Sequence, residues 1–264
     1  MIKKVKKKYN QCLEVSEENK KYLSLSVQRS KGLLPHMEVA KAFSKLLKKD
    51  IKDKTKVLDV GCLSGHFLKT FREKNNRNFF YQGLDPFSLH INAAKKVWSN
   101  DQNSDFKVGW AQKIPFKKKQ FDISICSNVF THIPSILNPI KELVRVTKKK
   151  IIIRTPIHNR SYRIQMVFNN KWWKYTTVSP ENEFDKNGNP RSFEYYDVHS
   201  KDYMHAVIKK YYKNAKISFI KDIFFSKKMI NNPKEKKNIP TRVIDNMQIT
   251  DLMIVPNYFV IIKL

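Results

Sequence analysis

Between residues 35 and 155 short apolar runs alternate with amphipathic stretches, and this alternation limits what the chain can fold into more than any bulk property does. From Pro35 onward Met37, Val39, Ala40, Phe43, Leu46 and Leu47 recur at helical spacing. Residues 56–60 read as a short buried strand, closed by the turn Gly61-Cys-Leu-Ser-Gly65 and followed by a helix over 66–74. The pattern repeats as strand 79–84, helix 88–98, strand 106–109, strand 121–127, helix 136–147 and strand 150–154. Strands alternating with helices predict an α/β fold, a mostly parallel sheet covered by helices on both faces. Residues 156–199 are rich in aromatics and turn formers and have no clean period. Beyond them the sequence predicts a helix over 200–212, with Ser200 as N-cap, and strands over 216–225 and 257–264.

A chain of 264 residues is long enough for one large α/β domain, and no internal repeat or low-complexity linker divides it. The basic residues 1–8 run into a polar, acidic segment where a signal peptide would have its apolar core. No apolar run approaches the roughly 20 residues of a membrane-spanning helix, so a cytoplasmic protein is expected. Cys12, Cys62 and Cys126 are far apart and too few for a disulfide framework, and they form no C-x-x-C metal or redox motif. The formal net charge of +29 favours polyanionic partners, nucleic acid among them. Only nine of the 52 basic residues are arginine, however, whereas base-edge and bidentate phosphate recognition lean on arginine. The lysines are also spread along a chain rich in Asn and Ile, as in the amino-acid drift of an AT-rich genome.

Of six glycines, Gly61, Gly65, Gly83 and Gly109 fall at turns or strand ends. Gly61 and Gly65 lie between a strand and a helix, where the missing side chain lets a ligand approach the backbone. A dinucleotide fingerprint would need G-x-G-x-x-G to seat a pyrophosphate. Here Leu63 occupies the middle glycine position. Asp59 adds a carboxylate that repels pyrophosphate but suits an ammonium, and S-adenosylmethionine carries an ammonium, a sulfonium and no phosphate.

The segment Val57-Leu-Asp-Val-Gly-Cys-Leu-Ser-Gly-His-Phe-Leu68 resembles the first motif of class I S-adenosylmethionine-dependent methyltransferases, of the type 11 kind. Gly83-Leu-Asp85 resembles the second, whose acidic residue holds the ribose diol. Ala111-Gln-Lys-Ile-Pro-Phe116 and the stretch from Phe121 to Ile133 resemble the segment before strand four, strand four itself and the turn after it. The resemblance covers about residues 35–155. It implies a Rossmann-like sheet of seven strands with the last antiparallel, inserted between the fifth and sixth. It implies S-adenosylmethionine as cofactor, S-adenosylhomocysteine as product, and Asp59, Gly61, Cys62, Gly65, Asp85, Pro86, Ala111, Gln112 and Ser127 as cofactor-binding residues. Leu63 replaces the commonest glycine of the first motif. Trp110 stands where many members carry an acidic residue near the adenine amine.

A single domain over 1–264 follows, with an N-terminal helical cap (1–50), a cofactor-binding core (51–155), an acceptor lid (156–199) and a C-terminal helix with two strands (200–264). Methyl transfer from a sulfonium is an in-line displacement, so the protein's task is positioning and exclusion of water. A general base is needed only for an acceptor protonated at neutral pH. His132, just past strand four, is the candidate; the alternative is that it shapes the turn. His158, Arg160, Tyr162, Trp172, Tyr195 and His199 are candidates to hold the acceptor, either by stacking or by hydrogen bonds. A small-molecule or glycan acceptor is expected first and an RNA, most plausibly tRNA, second. A non-catalytic binding protein on the same fold is the third reading. No metal and no membrane span are expected, and the oligomeric state is left open.

Overall fold

The computed structural model describes residues 17–167, 186, 193–223, 241–244, 247–250 and 256–264. Two helices, α1 (Glu17–Ser30) and α2 (Glu38–Leu47), lead into β1 (Lys56–Val60), α3 (His66–Asn75), β2 (Phe80–Asp85), α4 (Ser88–Val97), β3 (Ser104–Val108) and β4 (Phe121–Ser127). A 3-10 turn (Phe130–His132), α5 (Leu137–Val146) and β5 (Thr147–His158) follow. Then come β6 (Tyr162–Val167), β7 (Phe193–Ser200), α6 (Lys201–Tyr211), β8 (Lys216–Lys221), β9 (Thr241–Ile244), β10 (Met247–Thr250) and β11 (Asn257–Lys263).

The core strands lie in the order β3-β2-β1-β4-β5-β11-β8, with β11 antiparallel to both β5 and β8. This is the seven-stranded, mostly parallel sheet expected, with the antiparallel strand where the resemblance put it. Successive side chains of a strand point to opposite faces. Val57, Ile123, Ile125 and Ile152 therefore pack with Phe43, Phe67 and Phe71 of α2 and α3 on one face. Leu58, Val60, Ile151 and Ile153 pack with Ile140 and Leu143 of α5 and Met204 and Ile208 of α6 on the other. Ser200 caps α6, its hydroxyl accepting from the Tyr203 amide at 3.1 Å.

Several features depart from the sequence reading, among them the antiparallel pair of β9 and β10. Helix α1 lies inside the expected helical cap, but its bounds have no apolar period to mark them because it docks through hydroxyls: Ser26 Oγ lies 2.6 Å and Ser30 Oγ 3.0 Å from Ser64 Oγ. The fifth strand runs to His158, four residues beyond the expected end, because β11 pairs with it as far as Pro156 and β7 from Ile157 on. The segment without a period contains an antiparallel ribbon of β6 and β7, which joins the sheet by a parallel pairing of Ile157 and His158 with His199 and Ser200. No helix among the described residues is long and apolar enough to cross a membrane.

Candidate active site

Strand β1 pairs with β2 on one side and β4 on the other, so the direction of strand succession reverses there, and ligands bind such sheets beyond the carboxyl ends at this point. The turn from Gly61 to Gly65 sits in that place. Gly61 has φ +84, and a Cβ on it would come within 2.4 Å of Val129 Cγ2. Leu63 also holds a left-handed backbone, φ +50. That is the conformation glycine adopts without strain, so the structure accounts for the glycine usual at this place and for the cost of Leu63.

The amides of the turn are occupied within the protein. Gly61 and Cys62 both donate to the Leu84 carbonyl, Gly65 donates to Cys62, Leu63 donates to Asp85 Oδ2 and Ser64 to Ser26 Oγ. An anion-binding nest needs such amides to face the ligand, so this turn is unsuited to a pyrophosphate. What it offers is carboxylate.

Asp59 is 3% exposed and accepts a hydrogen bond from the Tyr81 hydroxyl. Burial pushes its carboxyl up to about 7, against the Tyr81 hydrogen bond and with help from the negative charge of Asp85. Asp85, equally buried, accepts from the Leu63 amide at 3.1 Å, the Phe87 amide at 3.1 Å and His90 Nδ1 at 2.9 Å. A carboxylate has about four acceptor positions, so one on Oδ2 is left for a ligand hydroxyl. His90 is the main site residue that the sequence reading missed. Its spacing, five residues after Asp85 and on the first turn of the following helix, was the available signal. Its Nε2 is buried without a partner.

The Asp59 shift has a consequence for stability. Because its folded pKa lies above the ordinary carboxylate value, the native state binds the extra proton. Stability from this group therefore falls as pH rises from about 4 to about 7 and is flat above. Asp59→Asn, which keeps an acceptor for Tyr81, is expected to flatten that slope and to raise ligand-free stability at pH 8 by roughly 1–3 kcal/mol. Thermal melts across pH 4–8 check this, and parallel curves for the two proteins would contradict it.

The other expected cofactor residues fall into two groups. Pro86, Gln112 and Ser127 are half-buried at the same edge, and Ala111 is buried beside them. The loop carrying Ala111 and Gln112 is fixed from behind, as Arg145 donates to the carbonyls of Ile114 and Phe116 and Glu142 accepts from the Ile114 amide. Cys62 differs, because its thiol packs in the core against Gly83 and not at the edge. Burial and the charges of Asp85 and Asp59 push its pKa up, so it is neutral and inert.

Among the acceptor candidates, the structure brings together His158 and Tyr162, whose ring centroids are 5.2 Å apart. Arg160 is exposed on the turn between them. His199 is buried and hydrogen-bonds to the Phe130 backbone, and burial lowers its pKa. It thus braces the 3-10 turn that ends in His132. Tyr195 lies on β7 opposite Gln165, but its side chain is outside the described residues, and Trp172 is outside them altogether. No cluster of metal-ligating side chains occurs among the described residues.

Residues 58–153 match the protein family described as a methyltransferase domain. Over these residues the chain carries a methyltransferase domain. One curated relative, the tRNA U34 carboxymethyltransferase of Nautilia profundicola, is 35% identical over 89 residues, which is 33% of this chain and 29% of that protein. The chain therefore spans less than a third of the relative it matches. A chain of the Haloferax volcanii complex between the Trm112 methyltransferase activator and a protein assigned as a methyltransferase superposes with a TM-score of 0.56, at 14% identity, covering 95% of this chain and 97% of that one. An S-adenosylmethionine-dependent methyltransferase from Mesorhizobium loti gives a TM-score of 0.54 at 10% identity, with 85% and 98% covered. At such identities these likenesses establish the fold.

S-adenosylmethionine is the cofactor of this domain family, and the site's donor set fits it. Two buried carboxylates suit a ligand with a cationic amino-acid end and a diol, and the methyltransferase turn offers no competing anion nest.

Proposed function

We propose that the protein transfers the methyl group of S-adenosylmethionine to an acceptor held between the carboxyl ends of β4 and β5 and the β6–β7 ribbon. The observation that carries this reading is the pair of buried carboxylates, Asp59 and Asp85, at the point where the strand order reverses. When bound, the cofactor supplies an electrophilic methyl on a sulfonium. Asp85 Oδ2 accepts from a ribose hydroxyl while His90 and the amides of Leu63 and Phe87 hold the carboxylate in place. Asp59 ionises to meet the ammonium, so cofactor affinity falls as pH drops below about 7. His132 takes the acceptor's proton where it has one to lose, its turn held by His199. Residues 156–199 are read as the lid, with the mutually tilted rings of His158 and Tyr162 available to contact an acceptor.

RNA is the acceptor class put first, because the curated relative is by name a tRNA enzyme and the chain is strongly basic. A small molecule or glycan is the second reading, supported by the paired rings of His158 and Tyr162.

The test is calorimetric titration with S-adenosylmethionine and S-adenosylhomocysteine. Micromolar binding is expected, weakened about 30- to 100-fold in Asp85→Ala, a loss of roughly 2–3 kcal/mol. Absence of binding by a folded wild-type protein would remove the methyltransferase reading and leave the fold a non-catalytic binding role.

A further inference from the structure

Beyond the catalytic edge, the opposite edge of the sheet carries a feature that no linear reading reveals. Lys263, at the end of antiparallel β11, is in register with Lys150 of β5 on one side and Lys216 of β8 on the other. Lysines 47 to 113 positions apart in sequence thus form a row across three adjacent strands, on one face of the sheet. Lys149, on the opposite face of β5, and Lys213, just before β8, are exposed near it, and Lys118 lies on the loop before β4, where Lys119 sits 5.7 Å from the Tyr212 ring. Acids offset only part of this charge. Asp50 pairs with Lys150, and Asp122, which also accepts from the Lys56 amide, lies 3.3 Å from the Lys149 amine and 3.9 Å from that of Lys148. The crowding is felt electrostatically, since burial and then the charge of Lys118 lower the pKa of Lys119.

We infer that this lysine edge docks the phosphate backbone of a folded RNA whose reactive part reaches the catalytic edge. The inference rests on the RNA reading above. Neighbouring strands stand about 4.8 Å apart, a charge spacing of the order that a nucleic-acid backbone presents. Lysine suits this role better than base reading, because phosphate contacts position a nucleic acid without specifying sequence. An anionic membrane surface would want exposed apolar side chains beside the charge. Of the exposed large apolar side chains, Leu89, Val108, Tyr203 and Ile223 lie at the other edge, by the carboxyl ends of the strands, and Phe80, at the start of β2, stands three strands away from β5 and the lysine row. Strand β5 runs from one edge to the other over twelve residues, about 35–40 Å at 3.3 Å per residue. An oligonucleotide of four or five nucleotides cannot span that distance, whereas a folded RNA can.

The experiment measures affinity of the full chain for a fluorescent tRNA transcript between 50 and 200 mM salt, with Lys213→Glu/Lys216→Glu/Lys263→Glu as the variant. At 100 mM salt the variant should bind at least 10-fold more weakly, with a log–log salt slope smaller by about 3, while its S-adenosylhomocysteine affinity is unchanged. A four-nucleotide RNA should bind the wild type far more weakly than the transcript. Should the triple Glu variant fail to fold, Lys→Gln at the same positions replaces it, with the same direction expected. Unchanged RNA affinity and slope in the folded variant overturn the proposal. So does loss of binding to phosphatidylglycerol vesicles in place of RNA. Lysine-dependent RNA binding without cofactor binding would leave the docking edge standing and remove the methyltransferase reading instead.

Discussion

Arg154→Leu is expected to lower the unfolding free energy by about 3–5 kcal/mol, the usual cost of stranding one partner of a buried ion pair. Arg154 Nε donates to Asp222 Oδ2 at 2.6 Å, and the two side chains are 4% and 0% exposed. Its Nη1 donates to Asn128 Oδ1 at 2.7 Å, and the Asn128 amide returns a bond to the Arg154 carbonyl at 2.9 Å. The guanidinium thus ties the middle of the sheet to the end of β8 and to the turn that leads to His132. Leucine takes the guanidinium from the buried Asp222 carboxylate and removes the tether on Asn128, which holds φ +57. For a chain of this size the loss corresponds to a melting point lower by roughly 10 °C. Arg154→Leu/Asp222→Leu should recover most of it, because an apolar pair avoids the stranded charge. Equal melting points for wild type and the single variant would mean that water reaches Asp222.

Gly65→Ala is the second large effect, at about 2–5 kcal/mol. Gly65 begins α3 with φ +76, which alone disfavours an L-residue. An added Cβ would also lie 2.7 Å from Phe106 Cε1 and 2.9 Å from Trp98 Nε1. Neither ring can give way easily, since Phe106 is 3% exposed and Trp98 Nε1 donates to the Ser64 carbonyl at 3.1 Å. That carbonyl belongs to the residue on which Ser26 and Ser30 of α1 dock. The variant should therefore loosen α1 over the glycine turn as well as destabilise the fold. Hydrogen exchange localises the first effect and thermal melting measures the second. A variant that melts like the wild type would show that the turn can rearrange.

Much of this protein was legible from local sequence because the information involved is local. The helical spacing of residues 37–47, the apolar runs of β1, β4 and β5, the glycines bracketing a strand–helix turn and the Ser200 cap each act within a few residues. They determined the α/β alternation, the place of the glycine turn and the choice of Asp59 and Asp85 as candidate site residues. The bounds of helix α1 escaped because its adhesion is by serine hydroxyls to a residue 34 to 38 positions away, which leaves no apolar period to read. The ribbon of β6 and β7 escaped because its pairing spans a long intervening segment. Only the order of strands decided the rest. Arg154 finds Asp222 across 68 positions, and Lys150, Lys216 and Lys263 share one row because β11 enters antiparallel between β5 and β8. Periodicity fixes which side of a strand a residue faces, whereas its neighbours across the sheet depend on how distant segments pack, which no local pattern encodes.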